Sequence, residues 1–190
     1  MRTLKKLSDR QSALLDFVTK KHGDQERKYS GEPYWFHLLS VANIVTDYLP
    51  DSLAVEIALC HDLFEDTDCS SAELKEVLES IGYDWAQVSE IHERVVDLTD
   101  VYTKENCPDS NRRERKALES DRLGKIHPIS QTVKYADLID NMNSIAEHDK
   151  NFAIIYLKEK RAILNVMRAG HPQLLTECEK LYEFMVRAIS

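Results

Sequence analysis

The sequence is poor in the residues that interrupt helices. Only five glycines and five prolines occur among 190 residues, and the segments between them repeat apolar residues at intervals of three and four. Strand-rich folds need alternating patterns and frequent turn residues, so this sequence predicts an all-α fold. A chain of this length can bury a sizeable core, and we expect one compact multi-helix domain over residues 1–190.

Cysteine pairs and long apolar runs are also missing. The four cysteines, Cys60, Cys69, Cys107 and Cys178, form no Cys-x-x-Cys pair, which argues against a disulfide framework or a thiolate zinc site. No apolar run nears the roughly 18 residues of a membrane span, and the N-terminus lacks the apolar centre of a signal peptide. We therefore expect a soluble, cytoplasmic protein without a membrane partner.

The sequence has fewer basic residues than acidic residues. The chain has 25 basic and 33 acidic residues, a net charge of −8, and nonspecific binding of DNA or RNA requires the opposite balance. We expect no nucleic-acid partner, so any phosphate recognition must be local. The basic run at residues 112–116 is one candidate, although a solvated helix face balanced by acids is the alternative. The role of Lys134 is open in the same way.

One short apolar segment, Ala58–Thr67, carries four polar side chains that can bind a metal or a proton. If the segment is helical, His61 and Glu65 share one face, and Asp62 and Asp66 share the adjacent face. Burying an imidazole and three carboxylates is costly unless a cation neutralises them. The alternative is an ordinary buried polar pair, followed by two solvated acids at a helix end.

Two further residues extend this candidate metal site. The spacing between His37 and Val41 turns His37 inward on the second predicted helix, and Asp137 interrupts an apolar face much later in the chain. Each has a simple structural explanation, as a hydrogen-bonded core histidine or a locally paired acid. Together with His61 and Asp62, they form the mixed imidazole and carboxylate set that holds divalent first-row metals.

Four segments resemble the HD-domain metal-dependent phosphohydrolases. More narrowly, they resemble the alarmone (p)ppGpp hydrolases, both the hydrolase half of RelA/SpoT proteins and the stand-alone small alarmone hydrolases. The most specific match is the His-Asp pair followed by Glu-Asp-Thr. The segments, in order, are Lys28–His37, His61–Thr67, Asp97–Asp100 and Val133–Met142.

The resemblance implies a helical HD-domain bundle with a central metal site. It implies hydrolysis of ppGpp or pppGpp to GDP or GTP plus pyrophosphate, without synthesis, since no synthetase segment follows in the sequence. It implies that Glu65 and Asp66 orient and activate a water. The implied ligands of one Mn²⁺ are His37, His61, Asp62 and Asp137, and the implied substrate contacts are Lys28, Tyr29, Ser30, Asn141 and Ser144.

The chain departs from the family pattern where the purine is recognised. The family commonly has Arg-Lys where this sequence has Lys28 and Tyr29, and it has arginine and histidine where this sequence has Leu138 and Asp140. Two alternatives therefore stay open. The same metal chemistry can act on another nucleotide, such as a nucleoside monophosphate or the 2′-phosphate of NADPH, or the chain is a nucleotide-binding module without turnover.

Overall fold

The described part of the chain is helical. The computed structural model describes residues 6–28, 30–148 and 150–189, and outside the helices it has one isolated antiparallel bridge, between Glu26 and Pro33. The prediction of an all-α fold is confirmed. The chain divides into two compact units, Met1–Thr99 and Asp100–Ser190. A single domain over residues 1–190 stays a prediction.

Six helices are present in the described residues of the first unit. Helix α2 packs on α3, and α1 packs against α2, α3 and α5. Their bounds are α1 Asp9–His22, α2 Trp35–Val45, α3 Ala54–Cys60, α4 Leu63–Asp66, α5 Ser71–Ile81 and α6 Trp85–Leu98. The apolar faces meet in a core whose fully buried side chains include Leu14, Leu38, Ile57, Leu59, Leu63 and Ile91.

Both ends of helix α5 lie at residues whose types favour helix ends. The Ser70 hydroxyl accepts the backbone N–H of Glu73 and so caps the first turn. At the other end Gly82 has a φ of 99°, in the left-handed region that glycine adopts without steric cost.

The helix that precedes the candidate site differs from the prediction. The pattern predicts a third helix that starts at about Ser52 and leads into the Ala58–Thr67 segment, but α3 ends at Cys60 and α4 begins only at Leu63. Asp62 lies between them with φ −101° and ψ 1°, in the sparsely populated bridge region where many active-site residues occur. The expectation of one continuous helix is therefore wrong.

The second helix also starts later than the sequence predicts. Pro33 is expected in its first turn, yet Pro33 pairs with Glu26 in the isolated bridge, and α2 begins at Trp35. The carbonyl of Pro33 accepts the N–H of Phe36, and the carbonyl of Tyr34 accepts that of His37. The chain thus enters α2 through a tight turn, and this turn sets the direction of Tyr34 and His37.

The second unit has four helices within the part of it that the structure describes. Helix α8 packs against α9 and α10, and α7 packs against α9. The fully buried Tyr135 donates its hydroxyl to the Met167 carbonyl at 2.8 Å. A Cβ at Gly170 would lie 2.5 Å from the Tyr135 ring, so this close approach requires glycine. The bounds are α7 Arg112–Leu123, α8 Pro128–His148, α9 Lys150–Val166 and α10 Pro172–Ile189.

The length and the hydropathy of the helices bear on whether one of them could span a membrane. Within residues 6–28, 30–148 and 150–189, none of them combines the length and the apolar character that crossing a bilayer demands.

Candidate active site

Two buried histidines and one aspartate converge in the first unit. His37 lies in the first turn of α2 and His61 directly after α3, with 2% and 1% of their surfaces exposed. Their ring centroids are 5.1 Å apart. The Nε2 atom of His37 lies 3.6 Å from Asp62 Oδ2, and that of His61 lies 3.0 Å from the same oxygen. The structure therefore brings together the three candidate ligands that this unit contributes.

The orientation of His61 is fixed from its other ring nitrogen. Its Nδ1 lies 2.7 Å from the carbonyl oxygen of Ala58 in the last turn of α3. When Nδ1 carries the proton and donates to that carbonyl, Nε2 presents a lone pair towards Asp62. Metal-binding histidines are commonly oriented in this way by a backbone carbonyl. The donor set thus fits a divalent transition-metal ion.

Tyr34 holds the carboxylate of Asp62 from the opposite side. Its hydroxyl donates to Asp62 Oδ2 at 2.7 Å, and its ring stacks on His22 at 4.8 Å and meets His37 edge-on at 5.7 Å. Burial and the negative charges of Asp62 and Asp66 raise the pKa of Tyr34 well above its usual value, so the phenol stays a neutral donor. We did not single out Tyr34 from the sequence, although its position three residues before His37 was a usable signal.

The two acids predicted to be catalytic lie on α4. The N–H groups of Glu65 and Asp66 both bond to the carbonyl of Asp62, at 3.2 and 2.9 Å, so one turn of backbone ties them to a candidate ligand. Both residues are exposed. Partial desolvation, and then the negative charge of Asp62, raise the pKa of Asp66. Gln25 donates to the backbone carbonyl of Asp66 at 2.5 Å and steadies this turn.

The fourth predicted ligand, Asp137, belongs to α8 in the second unit and is 5% exposed. Its Oδ1 accepts a hydrogen bond from the Asn141 amide at 2.5 Å, and its Oδ2 lies 2.8 Å from the Lys134 ammonium. Asn141 therefore contacts a candidate metal ligand. Its contact with the substrate stays a prediction. Leu138, where the family has arginine, is fully buried and is part of the hydrophobic core.

The other predicted substrate residues are accessible where the structure describes them. Lys28 is exposed, and Ser30 and Ser144 are half-buried. The Ser30 hydroxyl accepts the N–H of Glu32 at 3.4 Å and shapes the loop before α2. Tyr29 lies outside the described residues. Substrate contacts by these four residues stay predictions.

Comparison with known proteins places this chain in a family. The profile of the HD-domain family matches residues 15–165. A probable guanosine-3′,5′-bis(diphosphate) 3′-pyrophosphohydrolase of Mycoplasma pneumoniae is 31% identical over 137 residues, which are 69% of this chain and 17% of that protein. GTP pyrophosphokinase rsh of Brucella ovis is 30% identical over 182 residues, 92% of this chain and 22% of that protein. The chain thus spans less than a quarter of the length of these two relatives.

Two shorter proteins match over more of their own length. Human guanosine-3′,5′-bis(diphosphate) 3′-pyrophosphohydrolase MESH1 is 34% identical over 133 residues, covering 68% of this chain and 66% of that protein. A solved structure described as a metazoan orthologue of SpoT that hydrolyses ppGpp superposes with a TM-score of 0.77. That match covers 98% of this chain and 99% of the other at 20% identity, and it supports the fold. From the profile match, the chain belongs to the HD-domain family.

Proposed function

We propose that this protein is a metal-dependent phosphohydrolase that removes pyrophosphate from the ribose 3′ position of ppGpp or pppGpp, leaving GDP or GTP. The observation that carries the proposal is the approach of the His37 and His61 Nε2 atoms to one oxygen of Asp62. HD-domain membership supports it, as do the activities for which the Mycoplasma pneumoniae and human relatives are named.

In this proposal His37, His61, Asp62 and Asp137 hold one Mn²⁺. Imidazole and carboxylate ligands suit a first-row divalent metal, and the Ala58 carbonyl and the Tyr34 hydroxyl keep two of these ligands oriented. Such an ion supplies Lewis acidity at a phosphoryl oxygen and lowers the pKa of a bound water. Asn141 and Lys134 hold the two oxygens of Asp137.

Glu65 and Asp66 orient the attacking water and accept its proton. Backbone hydrogen bonds hold both residues on the turn that follows Asp62, and their exposure leaves them open to solvent. A positioned acid or base of this kind contributes roughly 10²- to 10⁴-fold to a rate. We assign nucleotide contacts to Lys28, Tyr29, Ser30, Asn141 and Ser144, on the strength of the resemblance alone.

A second candidate is the same chemistry on another phosphorylated nucleotide. It is favoured by Leu138, which places a fully buried apolar side chain where the alarmone hydrolases have an arginine. The partner in either case is a small nucleotide. We place the activity in the cytoplasm, because all four cysteines are free.

Product analysis separates these possibilities. Mn²⁺-loaded protein is incubated separately with ppGpp, NADPH and a panel of nucleoside monophosphates, each with a chelator control. We expect GDP and pyrophosphate from ppGpp, and we expect the chelator to abolish both products. Inorganic phosphate from another nucleotide, with ppGpp untouched, would transfer the activity to that substrate. No product from any compound would favour the nucleotide-binding module.

A further inference from the structure

The loop that follows α1 contains a glutamine that uses both its backbone and its side chain for hydrogen bonds. The Gln25 N–H donates to the carbonyl of His22 at 3.1 Å, and the Gln25 carbonyl accepts the N–H of Tyr34 at 2.9 Å. The side-chain oxygen lies 2.8 Å from Nδ1 of His22, and the amide nitrogen donates to the Asp66 carbonyl at 2.5 Å. Gln25 therefore joins the end of α1 both to the turn before α2 and to α4.

The neighbours of Gln25 determine which way its side-chain amide points. A backbone carbonyl can only accept a hydrogen bond, so the NH2 group faces Asp66 and the oxygen faces His22. Nδ1 of His22 therefore carries the hydrogen in this contact. Only 3% of the surface of His22 is exposed, and its ring stacks on Tyr34 with centroids 4.8 Å apart. The buried imidazole thus holds the Gln25 amide in one orientation.

These contacts connect two parts of the candidate active site. The Tyr34 hydroxyl donates to the carboxylate of Asp62, a candidate metal ligand. Asp66 is a proposed water-activating acid, and its N–H bonds to the carbonyl of Asp62 at 2.9 Å. Asp62 is therefore linked to Gln25 by two routes, one through Tyr34 and one through Asp66. Such a closed set of contacts holds the acid and the candidate ligand in one relative position.

We propose that Gln25 is a positioning residue of the hydrolysis reaction, which fixes Asp66 relative to Asp62 and is itself held by His22. The inference rests on the proposed function, in which Asp66 acts on the attacking water. A displacement of about 1 Å caused by a distant substitution can lower a rate by about 100-fold. Because Gln25 is exposed, its replacement should change this geometry with little loss of core packing.

Gln25→Glu tests the inference. The carboxylate keeps the size of the side chain and the acceptor for His22, but it loses the donor to Asp66. We expect kcat on ppGpp to fall by about 10- to 100-fold, with KM and Mn²⁺ affinity unchanged. Hydrogen–deuterium exchange, measured by mass spectrometry, gives a readout that needs no turnover. Exchange at the α4 amides of Glu65 and Asp66 should become faster.

Gln11→Glu is the matched control, because Gln11 has a similar bridging amide at the other end of α1. The Gln11 oxygen accepts the N–H of Ser8 at 3.0 Å, and its nitrogen donates to Glu56 at 3.2 Å. The carboxylate that replaces this amide would face Glu56, and like charges at such a distance repel each other. We expect the control to lower Tm and to keep the wild-type kcat and the wild-type exchange in α4.

Two substitutions of His22 separate positioning from packing. An asparagine side chain can place an N–H close to where Nδ1 of the imidazole lies, whereas alanine offers no donor. We therefore expect His22→Ala to lower kcat about as much as Gln25→Glu does, and His22→Asn to restore most of that loss. Equal rates in the two His22 variants would overturn the role of His22.

The inference is overturned if Gln25→Glu keeps the wild-type kcat, or if Gln11→Glu lowers kcat as much as Gln25→Glu does. Faster α4 exchange in Gln25→Glu but not in Gln11→Glu, in a protein that leaves ppGpp intact, would overturn only the proposed function. Unchanged α4 exchange in such a protein would overturn both.

Discussion

The first unit contains two tyrosine–carboxylate pairs with nearly the same hydrogen bond and very different neighbours. The Tyr34 hydroxyl donates to Asp62 at 2.7 Å, and the Tyr83 hydroxyl donates to Glu56 at 3.0 Å. In the Glu56 pair the hydrogen-bond donors meet at one carboxylate oxygen, Oε1, whereas Oε2 is buried without a hydrogen bond. Its Oε1 also accepts a bond from the Gln11 amide at 3.2 Å, and the Arg10 guanidinium lies 4.4 Å above the Tyr83 ring.

The Asp62 pair is surrounded by groups that can donate electron pairs instead. The Nε2 atoms of His37 and His61 point at the carboxylate oxygen that Tyr34 already binds. A carboxylate among hydrogen-bond donors is a structural group, whereas one that shares its space with two imidazole nitrogens suits a cation. We therefore assign Glu56 to the framework of the fold and Asp62 to the metal site.

Removing a candidate imidazole ligand should reduce turnover and Mn²⁺ affinity more than any other change. We expect His61→Ala to abolish turnover and to weaken Mn²⁺ binding by more than about 100-fold, because loss of an outer-shell partner alone costs 10- to 100-fold. Electron paramagnetic resonance titration of free Mn²⁺ measures the affinity. His92→Ala, at a histidine of α6 in the same unit, is the control and should bind Mn²⁺ normally. Equal binding by the two variants would refute the ligand assignment.

Removing a proposed proton acceptor should lower the rate of hydrolysis without changing the affinity for the metal. Glu65→Gln keeps the size of the side chain and removes its charge, so we expect kcat to fall by roughly 10²- to 10⁴-fold with Mn²⁺ affinity unchanged. Steady-state kinetics on ppGpp together with the same resonance titration measure both quantities. The control is Glu76→Gln on the exposed face of α5. Near-normal turnover in Glu65→Gln would move the water-activating role to another group.

Deleting each tyrosine hydroxyl compares the two pairs directly. We expect Tyr34→Phe to weaken Mn²⁺ binding by about 10- to 100-fold, because Asp62 loses its orienting donor. Tyr83→Phe should leave Mn²⁺ affinity unchanged and lower the free energy of unfolding by about 1–3 kcal/mol, because Glu56 stays buried with one donor fewer. Urea unfolding and Mn²⁺ titration of both variants give the result. If both variants lost metal affinity equally, the comparison would fail.

Metal binding should also stabilise the folded protein. Mn²⁺ at about 100 times its dissociation constant should stabilise the folded protein by about 2.7 kcal/mol. We expect this gain, measured as a shift in Tm, in the wild type and in Tyr83→Phe, and its absence in His61→Ala. A gain of the same size in His61→Ala would show that the ion binds elsewhere.

The candidate ligands can be chosen from the sequence more easily than the backbone that carries them. Histidines and aspartates stand out in apolar segments because burying them needs a reason, so His37, His61 and Asp137 could be chosen from residue type and spacing. The break between α3 and α4 could not be predicted, since the local pattern is that of a continuous helix. It coincides with the contacts of His61 with the Ala58 carbonyl and of Asp62 with Tyr34.

Contacts between residues far apart in the chain were the least predictable. Tyr34 and Asp62 are separated by 28 positions, and no periodic pattern reports that the phenol reaches the carboxylate.

Anomalous diffraction at the manganese edge, from crystals grown with Mn²⁺, would locate the bound ion. We expect one strong peak at about 2.0–2.3 Å from the Nε2 atoms of His37 and His61 and from an oxygen of Asp62. We expect no peak beside Glu56, the carboxylate of the other tyrosine pair. The absence of any peak at the two histidines, or a peak that leaves Asp62 bonded only to Tyr34, would contradict the assignment of these ligands.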